Sequence, residues 1–257
     1  MKYLRITGLT AIIALAATTS WGATSKGIEG SPHDFSSTNG TYGGTWASRN
    51  GVCSPCHAAH NTDPAQIVPL WIHETSKANF TPYNSPTFNA GQHTPSGVSL
   101  ACLSCHDGTV AINQSIGVTY TNGNPDSRFI TDPKAVIGPD LHTTHPISFT
   151  YDTALATADG GLELPSYKIG DPKTRLTIQT APVPAPSGSV PTGWTGTSLT
   201  GKRIDEALLI DGKMECASCH DVHKMEGSAP SSGILARISG SDSDGRGSTL
   251  CRTCHVK

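Results

Sequence analysis

The chain has little of what a domain of its length ordinarily builds a core from. Of its 257 residues only 36% are hydrophobic and 6% aromatic, while glycine (27) and proline (18) are plentiful. Side chains of that composition bury little area for the length. Charge is also sparse, at 15% of residues, and nearly balanced at a formal −2. No basic stripe is present, which excludes nucleic acid as a partner. No stretch reaches the roughly 20 apolar residues that a membrane-crossing helix needs, which excludes a span. A sustained apolar repeat of helical period is absent too, so no long amphipathic helix is expected. Methionine is nearly missing, with three in the whole chain.

What the chain does have is one short pattern, Cys-x-x-Cys-His, four times over. It occurs at Cys53/Cys56/His57, Cys102/Cys105/His106, Cys216/Cys219/His220 and Cys251/Cys254/His255, and it uses all eight cysteines. This is the attachment signature of c-type haem. Two thiols three residues apart on a short helical segment can each form a thioether with one vinyl group of a single porphyrin. The next residue then presents its imidazole to the iron. Four dithiol redox motifs, or two zinc sites of four cysteines each, would use the thiols equally well. Neither explains a histidine directly after every second cysteine, and an iron–sulfur cluster calls for other spacings. Four covalently bound haem groups are therefore expected, and they would supply the apolar mass that the side chains lack. The expected fold is a multihaem cytochrome c: mostly irregular chain with short helices and a few strands wrapped around four haems that form the core.

Residues 1–22 read as a secretory signal peptide. Lys2 and Arg5 form the basic region, Gly8 to Ala17 the apolar one, and Ser20 and Gly22 the small residues of a cleavage site after Gly22. No cysteine adjoins that site, which argues against a bacterial lipid anchor. Residues 23–257 are expected to form a single exported tetrahaem domain. Export agrees with haem attachment outside the cytoplasm.

Along the chain, residues 23–50 form a Gly/Ser/Thr-rich arm holding His33. Such a polar segment has little reason to fold alone. After the first motif, Trp71 in Pro-Leu-Trp-Ile-His73 is expected to pack on a haem edge. The longest interval between motifs separates the second from the third; it includes His142 and His145 and then a Thr/Pro-rich stretch with Ala181 to Pro186, read as extended surface chain. Residues 207–215, turning at Asp211-Gly212, read as a β-hairpin that delivers the third motif.

Seven of the 11 histidines lie outside the motifs, and four would make every haem bis-histidine. His60 and His223 each follow a motif histidine by three residues. On a helix such a pair shares one face, with Cβ atoms about 5–6 Å apart. The two cannot bind opposite faces of one iron, so each would serve a haem attached elsewhere, which draws the haems close together. His145 precedes Pro146, which favours extended backbone there. The distal ligands are taken as His33, His60, His145 and His223, and His73, His93 and His142 as structural. Met214 and Met225 are the methionines left after signal cleavage, and they are weak rivals.

Several of these elements occur together in a known group. Ser-Pro-His33-Asp, Cys-x-x-Cys-His-x-x-His60, Pro-Leu-Trp71, Cys-Leu-Ser-Cys-His-Asp-Gly-Thr-Val-Ala and Asp-Leu-x-x-x-His145-Pro-Ile-Ser-Phe resemble the exported multihaem cytochromes of metal-reducing bacteria. Among these are extracellular tetrahaem cytochromes that polymerise into conductive filaments. The resemblance implies one continuous stack of bis-histidine haems, with one axial histidine donated by the adjoining subunit, here assigned to His33. It implies self-association into a filament at the cell surface or beyond, and as partners outer-membrane or periplasmic redox proteins and extracellular electron acceptors. The expected activity is electron transfer, not catalysis. A monomeric periplasmic shuttle is the first alternative. A multihaem reductase is the second, and it would need an iron with an open sixth position; no Cys-x-x-Cys-Lys variant marks one.

Overall fold

The computed structural model describes residues 28, 32–35, 52–60, 62, 68–91, 93–117, 128–169, 199, 201–223 and 249–256. The expected signal peptide, most of the polar arm, the Thr/Pro-rich stretch and Met225 lie outside the described residues. Secondary structure among the described residues is scant. In chain order it runs α1 (Gly97–His106), β1 (Phe149–Thr150), α2 (Thr153–Asp159), α3 (Ile204–Ala207), β2 (Lys213–Met214), α4 (Cys216–Cys219) and α5 (Thr249–Cys254). No helix among the described residues is long and apolar enough to cross a membrane.

The helices are short because the sequence stops them early. Helix α2 begins where the Asp152 carboxylate accepts the Leu155 N–H, and it ends at Gly160 in the left-handed region (φ 70°). Strand β2 pairs antiparallel with β1, Phe149 opposite Met214 and Thr150 opposite Lys213. The tight turn expected at Asp211-Gly212 is present. Both residues have positive φ, 52° and 73°, and Ile210 and Lys213 exchange backbone hydrogen bonds of 3.0 and 2.9 Å across it. The long hairpin is not. Its expected first arm begins in α3, and β2 takes β1 as its partner. Ile204 and Leu208, one helical turn apart, are both fully buried, and that burial favours the helix.

A side-chain cluster of Phe149, Tyr151, Ala156, Ile169, Ile204, Leu208 and Met214 gathers β1, β2, α2 and α3. Leu250 and Cys254 of α5 pack against it. Also buried are Trp71 and Ile72, on the stretch that bonds to the first motif, and Ala101, Leu103, Val110 and Ala111, in and just after α1 with the second motif. The protein thus contributes apolar clusters of its own beside the motifs.

Candidate functional site

Every Cys-x-x-Cys-His motif closes a helical turn. His57 N–H donates to the Cys53 carbonyl at 2.9 Å, His220 to Cys216 at 3.0 Å and His255 to Cys251 at 3.0 Å; the second motif completes α1. This i to i−4 closure sets the two thiols and the imidazole on one short segment, as thioether attachment requires. None of the eight cysteines is in a disulfide. Among the described residues, no three His, Cys, Asp or Glu side chains converge as a site for a bare metal ion.

Each motif is docked by its own stretch of chain. The first is clamped by residues 68–72: Ala58 N–H donates to Leu70 at 3.0 Å and Ile72 N–H to Cys56 at 2.9 Å. The same stretch then reaches the chain after the second motif, with Ile116 N–H donating to Ile72 at 2.9 Å. The second and third motifs meet directly. Ser99 of α1 donates its hydroxyl to the buried Glu215 carboxylate, and the Cys216 N–H donates to Ser99 Oγ at 2.9 Å. The Cys102 and Cys216 thiols lie against each other, which raises the pKa of Cys102 and lowers that of Cys216. The fourth motif is held by the chain after α2, where Glu163 N–H donates to Cys254 at 2.7 Å and Val256 N–H to Gly161 at 2.8 Å.

The histidines sort into facing pairs. His57 stands against His223 with ring centres 6.3 Å apart, His106 against His33 at 5.9 Å, and His255 against His145 at 6.2 Å. A nitrogen–metal bond of about 2.0–2.1 Å on either side puts the centres of two axial imidazoles about 6.3 Å apart. Aromatic contacts of other kinds also fall near this distance; His57 and Trp71 are 6.0 Å apart. The separation is therefore less telling than the membership. Each pair joins one motif histidine to one of the distal candidates, and His73, His93 and His142 enter no such pair among the described residues.

Hydrogen bonding of the second ring nitrogen agrees at three of the six paired histidines. Nδ1–H of His57 donates to the Pro69 carbonyl at 2.7 Å, that of His106 to Ala135 at 2.7 Å, and that of His145 to Pro146 at 2.8 Å. A carbonyl can only accept, so the proton sits on Nδ1 and Nε2 keeps its lone pair for a metal. His93 spends Nε2 on the Ala90 carbonyl at 2.8 Å. His73 is buried with Nε2 against the Ala111 carbonyl at 3.0 Å and Nδ1 against Glu74 at 2.9 Å. His142 is exposed beside Asp140.

Two histidines fall outside this pattern. His220 is exposed, and no imidazole faces it among the described residues; His60 is exposed as well. His33, to which the resemblance assigns a role in a neighbouring subunit, packs within its own chain. Burial, then repulsion from His106, His220 and His223, pushes its pKa down to about 4, so this imidazole is neutral near pH 7, the form a ligand needs. That interaction set also brings the second and third motifs to one place, with His223 linking them to the first. The pairing of particular histidines had no sequence signal, because each pair joins segments far apart in the chain. The carbonyls of Pro69, Ala135 and Pro146 were likewise invisible, since a backbone acceptor leaves no residue-type signature. Searches against protein-family models and against curated proteins return no match.

Proposed function

We propose that the protein is a tetrahaem electron carrier in which each motif holds one c-type haem. Residues Cys53, Cys56, Cys102, Cys105, Cys216, Cys219, Cys251 and Cys254 carry the thioether bonds. Three irons are completed within one chain, by His57 with His223, His106 with His33 and His255 with His145. The fourth, on His220, is completed by His60 of a neighbouring copy. A bound haem supplies an iron that cycles between two oxidation states, and the chain holds each porphyrin close to the next. His33 thereby becomes a ligand within its own chain, and the donated role passes to His60.

The observation that carries this reading is the set of three facing pairs, each of one motif histidine and one distal candidate. Supporting it are the Nδ1 protons anchored on backbone carbonyls, the thiols outside disulfides, and a buried indole N–H beside His57. His60 follows His57 too closely to serve the same iron. It is exposed, and His220 is exposed and joins no facing pair among the described residues, so a contact between two copies supplies a ligand. Repetition of that contact is head-to-tail and gives a filament. The reading implies an exported protein at or beyond the cell surface, passing electrons from outer-membrane or periplasmic redox proteins to external acceptors.

The test is His60→Ala in the secreted, haem-loaded protein. We expect four haems still attached, one of the four converted from low-spin to five-coordinate high-spin, and fibres absent in electron micrographs. Four low-spin haems in an assembled His60→Ala filament would contradict the assignment. One observation favours a second reading. An exposed His220 without a facing imidazole is also what an open, substrate-binding iron would show. In that case the wild-type protein is a discrete particle with one high-spin haem that binds small ligands such as cyanide.

A further inference from the structure

Trp71 is 9% exposed, and its indole Nε1 is fully buried with no acceptor among the described residues. Buried indole N–H groups nearly always find a partner. The position is held tightly, because Trp71 bridges His57 in antiparallel fashion while its neighbours Leu70 and Ile72 bond to Ala58 and Cys56. The indole stands edge-on to the His57 ring (84°, 6.0 Å between centres) and tilted against His73 (58°, 6.0 Å). Neither imidazole can take its proton. His57 Nδ1 is a donor to Pro69, and its Nε2 is the nitrogen reserved for iron. Both nitrogens of His73 lie against carbonyl oxygens. None of the described residues supplies the missing acceptor, and the group that His57 is reserved for lies beside it.

We propose that Trp71 Nε1–H donates a hydrogen bond to a carboxylate of the porphyrin bound at the first motif, and so acts as a positioning residue for that haem. The inference rests on the haem reading above. A porphyrin of this type carries two propionate groups, which are its strong acceptors, and a charged acceptor makes the shorter and stronger hydrogen bond. The consequence is electrostatic. A propionate charge stabilises the ferric iron, and a donor that draws on that charge weakens the effect. Trp71 therefore holds the potential of one haem in four above the value it would have without the indole.

Redox titration of the haem-loaded wild-type and Trp71→Phe proteins, followed by absorption, reads this directly. Phenylalanine keeps a ring in the pocket and removes only the donor. In Trp71→Phe, at a fixed applied potential, one haem of the four should shift toward the oxidised form by roughly threefold or more, and the other three should not move. The low-frequency propionate bending band in the resonance Raman spectrum should shift with it. Superimposable titrations and spectra from two proteins with four haems each would overturn the proposal while leaving the haem reading intact. A secreted wild-type protein without haem absorption would instead overturn that reading. Should Trp71→Phe fail to load its first haem, a density map of the wild-type holoprotein decides. An indole nitrogen about 3 Å from a propionate oxygen supports the proposal; one bonded to protein or water overturns it.

Discussion

A histidine has two nitrogens, and the partner of the one is what qualifies the other as a ligand. His57, His106 and His145 each give the Nδ1 proton to a carbonyl, from Pro69, Ala135 and Pro146. His93, with Nε2 on Ala90, has spent the wrong one. His33 shows the same principle through its charge. Burial and three neighbouring histidines hold its pKa near 4, below the unfolded value of 6.5. Between those values the unfolded chain binds a proton that folded His33 refuses. Stability is therefore full above about pH 6.5 and falls as the pH drops toward 4. Denaturation of wild-type and His33→Gln proteins at pH 7 and pH 5 should show the wild type losing more stability on acidification. Equal losses would contradict the placement of His33. The four motifs were legible in the sequence because they are a matter of residue type and spacing over five positions. The spare histidines were legible only as a set, since which of them meet is decided by chain far from any of them.

At the scale of elements, the joint between α1 and α4 carries the second and third motifs. Ser99 and Glu215 are both buried there, and the Ser99 hydroxyl serves the Glu215 carboxylate and the Cys216 N–H together. Ser148 adds a second hydroxyl to the same carboxylate at 2.9 Å. Ser99→Ala leaves one buried charge short of a donor and one N–H without its acceptor. It should cost about 1–3 kcal/mol in chemical denaturation, and a loss below about 0.5 kcal/mol would show the joint to be unimportant. The local turn at Asp211-Gly212 was readable because it needs φ > 0 at both positions and those residues accept it. The arm before it was read too long: Ala207 closes α3, and within the arm Ile210 pairs with Lys213. Four residues cannot be told apart as helix or strand by pattern alone, and what decided was burial of Ile204 and Leu208 against β1 and β2. The pairing of β1 with β2 was likewise out of reach, because two-residue strands leave no periodicity.

For the whole molecule, the low hydrophobic content led to an expectation that haems stand in for a core. The cluster around Phe149 and Met214 shows that side chains also gather on their own, beside the fourth motif. The surface near the first motif adds to the case for assembly. Leu70 is a large apolar residue 54% exposed and held at a φ of 56°, a conformation that costs a branched residue energy. It lies on the clamp, where its carbonyl accepts the Ala58 N–H two residues before the exposed His60. An exposed apolar side chain on the clamp of the first motif suits the contact between copies proposed above.

All of this rests on haem being covalently present at four places, and the intact mass of the secreted protein under denaturing conditions tests that most directly. Addition of a thiol across a vinyl group loses no atoms. The account therefore predicts the mass of residues 23–257 plus four whole haems, with all eight cysteines unreactive toward alkylating reagents. The bare polypeptide mass, with thiols that alkylate or with the loss of two hydrogens per disulfide, would contradict it.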